Sequence, residues 1–118
     1  VEVRLGLESS RMDARPYFMS IDPLRQQPEI AALCRRFHVR RLDLFGSAAT
    51  GKAGADSDLD FLVEFEPMAE GYADAYFGLL EALQDLFRKP VDLVVSSAIR
   101  NPYFRRSVES SRELLYAA

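Results

Sequence analysis

The chain has 118 residues, with 15 Lys or Arg against 18 Asp or Glu and a formal net charge of -3, so it is sized for one domain and does not bind nucleic acid by overall charge alone. Hydrophobic residues at 48% and charged residues at 28% exclude a disordered chain, and a single Cys34 beside a single His38 argues against a disulfide framework or a His/Cys metal centre. No apolar run approaches the ~18–20 residues of a transmembrane helix, and the charged N-terminal stretch does not read as a signal peptide, so a cytoplasmic protein is expected.

Residues 1–20 have no clear period and are expected to be an N-terminal extension, although Val1, Val3 and Leu5 alternate as a strand would. Residues 21–118 are expected to form the domain. A helix is predicted after Pro28, because Ile30, Leu33, Cys34 and Phe37 recur at helical spacing and proline suits a first turn. Cys34 falls on that apolar stripe and reads as a core residue. Val39 to Phe45 is a short strand ended by Gly46-Ser47. The Gly- and Ala-rich stretch 48–57 reads as a short helix followed by a loop. Asp58 to Phe65 alternates and then turns apolar, which suits a strand passing from half-buried to buried.

From Ala73 to Arg88 an amphipathic helix is predicted, with Tyr76, Leu79, Leu80, Leu83, Leu86 and Phe87 on one stripe. Lys89-Pro90 stops it, and Val91 to Val95 is a short apolar strand. Asn101-Pro102 opens a last helix expected to run to about Tyr116, with Phe104, Val108, Leu114 and Leu115 as core candidates. The fold class is therefore α/β or α+β: a small mixed sheet with helices packed on it.

The candidate chemistry lies at strand ends. Residues two apart on a strand share a face, so Asp58 and Asp60 project together while Leu59 and Phe61 face the other way. Carboxylates held close repel unless a cation or a proton lies between them, and oxygen ligands suit Mg²⁺ or Mn²⁺ rather than zinc. Asp92 interrupts an apolar strand. Set beside Asp60 on a neighbouring strand, its Cβ would lie ~4.5–5.5 Å away. Three such carboxylates could hold two metal ions ~3.5–4 Å apart, the arrangement of in-line phosphoryl chemistry. Gly46 at a strand end allows close backbone approach to a ligand, a helix start after it would favour phosphate, and Ser47 adds a hydroxyl.

Together, Leu44-Phe45-Gly46-Ser47, a ten-residue gap and Asp58-Leu59-Asp60-Phe61-Leu62-Val63 resemble the signature of the DNA polymerase β-type nucleotidyltransferase superfamily. Within it the chain is similar in size to the minimal nucleotidyltransferases, the MNT-domain proteins, and Val91-Asp92-Leu93-Val94 resembles their third-carboxylate strand. The resemblance spans residues 28 to 117. It implies the polymerase β-like fold and transfer of a nucleoside monophosphate, usually from ATP, to a hydroxyl. It implies that Asp58 and Asp60 ligate both metals, that Asp92 completes the site and helps deprotonate the acceptor, and that Gly46 and Ser47 hold the triphosphate.

Many relatives carry Ser-x-x-Arg-Gly after the glycine. Here Thr50 stands in place of that arginine, and Lys52 is the nearest cation, without arginine's fork.

The resemblance further implies a HEPN-type helical partner. The small nucleotidyltransferase would be the antitoxin that adds AMP to a tyrosine of its toxin. Two other readings are open: a non-catalytic module that neutralises or scaffolds a helical partner, and the nucleotide-binding subunit of a two-chain transferase for small molecules. No membrane or nucleic-acid partner is expected, and a homo-oligomer is open. Tyr72, Tyr76, Tyr103 and Phe104 are either core or an exposed partner patch. Arg35, Arg36, His38, Arg40 and Arg41 read as the solvated side of the first helix and its turn. Asp43 reads as an outward strand residue and Asp56 as a loop residue.

Overall fold

The computed structural model describes residues 27–51 and 58–118. The possible strand near Val1, the boundary at residue 20, and Lys52 and Asp56 lie outside them.

Helix α1 spans Pro28–Arg36 and buries Ile30 and Cys34. Its proline sits where an amide has no helical partner anyway, and Glu29 in the first turn and Arg35 and Arg36 in the last complement the helix dipole. Burial pushes the Cys34 thiol up to about 12, with nearby Arg35 pulling the other way, so it is an inert core group. After α1 the chain reverses through His38 at φ 61 into strand β1, Val39–Phe45.

Strand β2, Leu59–Phe65, pairs antiparallel with β1, placing Leu44 opposite Phe61 and Phe45 opposite Asp60. Helix α2, Tyr72–Phe87, buries Ala75, Leu79 and Leu83 and ends where Arg88 turns left-handed at φ 56. Gly78 lies in its interior, where glycine costs about 1 kcal/mol relative to alanine. A side chain there would collide with the Phe37 ring, so the glycine lets the end of α1 nest against α2.

Strand β3, Val91–Val95, returns parallel to β2, with α2 as the crossover such a pairing requires. A 3₁₀ turn over Ser96–Ala98 leads to helix α3, Pro102–Ser111, whose Asn101 cap accepts hydrogen bonds from the amides of Tyr103 at 2.8 Å and Phe104 at 3.2 Å.

Two predicted elements differ from this. The last helix stops at Ser111 rather than near Tyr116. Arg112 is extended, at φ -68 and ψ 141, and Glu113–Ala117 forms strand β4. The cause is non-local: β4 pairs antiparallel with β1, so its backbone groups are satisfied by the sheet instead of by a further helical turn. Leu115 is buried, but Leu114 and Phe104 are about two-fifths exposed and are not core residues. Residues 46–51 form turns rather than a short helix. Gly46 at φ 74 turns the chain sharply, and its carbonyl accepts from both Ala49 and Thr50, which makes a single turn.

The sheet order is β3-β2-β1-β4. Alternate residues of the strands serve two different layers. Leu42, Leu44, Leu59, Phe61, Val63 and Leu93 join Ile30 and Cys34 of α1 and Leu79 and Leu83 of α2 in the main core. Phe45 and Leu62 point the other way, into a smaller cluster with Val108 of α3, flanked by Val94 and Ile99. Burying a side chain such as Phe61 contributes roughly 1.5–3 kcal/mol. The result is a mixed α+β fold, with α1 and α2 on one face of the sheet and α3 on the other.

Candidate active site

The strand register brings the predicted carboxylates together. Asp60 and Asp92 are direct partners on the parallel strands β2 and β3, and Asp58 immediately precedes β2. Asp60 lies opposite Phe45, one residue before Gly46. Since Leu59, Phe61 and Leu93 fill the main core, the pleat turns Asp60 and Asp92 to the α3 face. Asp58 and Asp92 are exposed and Asp60 is half-buried.

Burial raises the Asp60 carboxyl above its ordinary value, and the charges of Asp92 and then Asp58 raise it further. Asp60 therefore sits beside two other carboxylates, a setting in which a cation would relieve the crowded negative charge. Among the described residues no three His, Cys, Asp or Glu side chains are already gathered as a metal cage. The donor set, two or three carboxylate-bearing positions facing solvent, suits Mg²⁺, which uses one or two carboxylates and completes its shell with water and substrate phosphates.

Gly46 closes the site from the β1 side. A Cβ on it would overlap the Asp60 carboxylate, and its φ of 74 is one that side chains rarely adopt. The Gly46 amide donates to Ser111 Oγ at 3.1 Å. Its carbonyl takes the Ala49 and Thr50 amides at 3.1 and 3.3 Å. Ser47 follows at the mouth of the turn. The Thr50 hydroxyl donates to the Ser47 carbonyl at 3.2 Å and lies 3.4 Å from the Gly46 carbonyl, so it braces the turn and presents no cation. On the opposite side, the Tyr76 hydroxyl of α2 donates to the Leu93 carbonyl at 2.6 Å. Burial and the nearby Asp92 charge push that phenol up.

Asp43 is the main correction among the flanking acids. It is fully buried, not outward. Arg112 Nε donates to its Oδ2 at 2.5 Å, and Arg41 Nε donates to its Oδ1 at 2.8 Å. The alternation that sends Leu42 and Leu44 into the main core does send Asp43 to the other face, but α3 covers that face, and Arg41 of β1 with Arg112 just after α3 supply the ion pairs a buried carboxylate needs. Burial disfavours the charge on Arg112, but Asp43, and then Glu109, outweigh it and hold its pKa above the usual value. Arg35, Arg36, His38 and Arg40 are exposed as expected, while Arg41 is drawn in by Asp43. Tyr72, Tyr103 and Phe104 are exposed, Tyr103 the most at 74%, and Phe77, which the sequence reading did not single out, is 62% exposed. Ser111 and Arg112 also escaped that reading. Their partners lie 65 and 69 residues away in sequence, and no local pattern marks them.

Paired carboxylates stand on adjacent parallel strands of an α+β sheet, with a glycine turn packed against one of them. Residues 30–115 match the model of the nucleotidyltransferase domain, and the chain belongs to that family. It is a nucleotidyltransferase, in the family that Gly46-Ser47 and Asp58-Leu59-Asp60 suggested.

A Methanocaldococcus jannaschii protein assigned as a protein adenylyltransferase is 37% identical over 95 residues, covering 80% of this chain and 91% of the relative. The protein adenylyltransferase MntA of Thermococcus cleftensis is 39% identical over 69 residues, 58% of this chain and 68% of the relative. A solved structure assigned as a minimal nucleotidyltransferase superposes with a TM-score of 0.64 at 32% identity, covering 79% of this chain and 90% of the other. A complex of tri-AMPylated Shewanella oneidensis HEPN toxin with its MNT antitoxin shares the fold at a TM-score of 0.56 and 19% identity, with 82% of this chain and 72% of the other covered. Among the described residues no helix is long and apolar enough to cross a membrane.

Proposed function

We propose that this chain transfers AMP from ATP to a tyrosine hydroxyl of a helical HEPN-type toxin and so acts as its antitoxin. The observation that carries the proposal is the register of Asp60 with Asp92, with Gly46 packed on Asp60. The name of the Thermococcus relative supports the adenylyl group, and the tri-AMPylated toxin bound to an MNT antitoxin supports the acceptor. A cytoplasmic location fits the need for ATP and the free thiol of Cys34.

In this reading Asp58, Asp60 and Asp92 would hold Mg²⁺ or Mn²⁺, which would supply positive charge against the triphosphate. Gly46 and Ser47 receive the triphosphate, with Lys52 as the nearest cation along the sequence. The acceptor hydroxyl oxygen forms a bond to the α-phosphorus while the bond from that phosphorus to the bridging oxygen breaks. The hydroxyl proton passes to the Asp92 carboxylate, and pyrophosphate leaves with the electron pair of the broken bond. Asp60, half-buried beside the turn, would anchor the cation against which the reacting phosphate is held. The exposure of Asp58 and Asp92 leaves the acceptor to be presented by a second protein.

The test is transfer of label from ATP marked at the α-phosphate, with Mg²⁺ and a lysate of the source. The wild-type chain should label one protein band. A chain carrying Asp58→Asn and Asp60→Asn should label none, with its thermal unfolding retained.

Thr50 favours a second reading, a module that neutralises its partner by contact alone, because the turn lacks the arginine fork that would grip a triphosphate. Partner capture that survives both substitutions, with no label on protein, RNA or small molecules, would select it. Label on a small molecule instead would select a two-chain small-molecule transferase.

A further inference from the structure

We propose that Ser111, the last residue of α3, is a positioning residue for nucleotide binding. It holds the Gly46-Ser47 turn at the height at which that turn can receive a triphosphate. The inference rests on the nucleotidyltransferase reading of the turn and extends it to a residue at the far end of the described chain.

A chain of contacts connects Ser111 to the turn. Ser111 Oγ lies 3.4 Å from the Ser107 carbonyl, to which its proton is directed. That leaves its lone pairs for the Gly46 amide at 3.1 Å. Gly46 is then held from both sides, its amide by Ser111 and its carbonyl by Ala49 and Thr50, with its Cα against the Asp60 carboxylate. Ser111 itself is anchored by its neighbour, because Arg112 binds the buried Asp43 through Nε and Glu109 through a second nitrogen at 2.9 Å. Asp43 sits two residues before Phe45 on the strand that delivers Gly46. The strand end and the helix end are thus locked to each other twice, once by a buried ion pair and once by the serine.

Gly46 has no side chain of its own with which to fix its height over Asp60, and Thr50 braces the turn only from within. A left-handed glycine is the most conformationally free residue in a chain, and a loop that receives a phosphate gains affinity from being held in place beforehand. Ser111 supplies that restraint from outside the turn.

The experiment measures ATP binding in the presence of Mg²⁺ by calorimetry, and steady-state transfer, on the full chain. Ser111→Ala should weaken ATP binding and raise KM for ATP about fivefold, the size expected for one lost hydrogen bond. It should change kcat less and leave the unfolding temperature near wild type. Ser111→Thr should restore binding, because it keeps the hydroxyl. Ser111→Cys, which keeps the size but accepts hydrogen bonds weakly, should fall between the two and carries the test should the alanine chain not fold.

Unchanged ATP binding by Ser111→Ala would overturn the proposal. So would tighter binding, since it would mean that the serine competes with phosphate for the Gly46 amide. A wild-type chain that takes up no ATP would remove the nucleotide reading and this proposal together, whereas wild-type binding that is insensitive to Ser111 would remove this proposal alone.

Discussion

On the face turned to α1 and α2, strands β1 and β2 present Leu42, Leu44, Leu59, Phe61 and Val63, all essentially buried. On the face turned to α3, the same two strands present Asp43, Phe45, Asp60 and Leu62. The pleat allots one residue to each face in turn, so stability and chemistry are written into the same fourteen strand residues at alternate positions. The first face is filled by two helices. The second is covered by one helix, whose Val108 seals only the middle of the sheet, and its acidic end is left open to a ligand.

This division is sharp enough to be broken by substitution. Leu79→Ala, on the filled face, should cost about 2–5 kcal/mol of stability, read from denaturant unfolding, while the folded fraction keeps its specific activity. Gly46→Ala, on the open face, should lower transfer at least ~100-fold, since misplacement by about an ångström at a reacting centre costs that much. Its effect on the denaturant midpoint should be the smaller of its two effects, because the turn is at the surface.

Asp43→Ala tests the covered part of the open face. It strands Arg112, whose side chain is 19% exposed, and should cost about 2–3 kcal/mol, less than a fully buried ion pair because both arginines reach solvent. It should also weaken ATP binding, since Arg112 anchors Ser111. The smallest effect concerns Asp60. Its raised carboxyl binds a proton more tightly in the folded chain than in the unfolded one, so its contribution to stability is present below pH ~3.8 and is lost as pH rises through the raised value. Metal-free Asp60→Asn should therefore unfold at a higher temperature than wild type at neutral pH, with the difference shrinking toward acid. A wild-type chain that is the more stable of the two at neutral pH would show that Asp60 is not under electrostatic strain.

The elements whose apolar spacing is their own, α1, β1, β2, α2 and β3, are legible in the sequence almost to the residue. So is the cap at Asn101, because a side-chain acceptor followed by proline carries its signal locally. The order Gly46-Ser47, Asp58, Asp60, Asp92 was likewise enough to name the family. What was not legible depends on partners far along the chain. Leu114-Leu115-Tyr116 reads as a helix continuing from α3. It becomes a strand because β1 offers it an edge, and Arg112 breaks the helix beside Asp43. Asp43 reads as outward because a strand bounded by Leu42 and Leu44 implies a sheet covered on one side only. The second cover, α3, is itself placed by the contact that buries Asp43. The alanines after Gly46 favour a helix, but the left-handed glycine and the approach of Asp60 close the chain into a turn instead.

The parallel pairing of β2 with β3 has a kinetic consequence. Asp60 and Asp92 are joined through about thirty residues of chain that include the whole of α2, so their parallel pairing must close a loop that carries that crossover. The contact is non-local in the sense that slows folding, and a slip of one residue in its register would turn Asp92 to the core face. The acidic pair therefore depends on the register of β3 on β2. Recovery of transfer activity during refolding should lag the return of helical signal and coincide with the burial of Leu79 and Leu83, so the enzyme reports on the completion of its own fold.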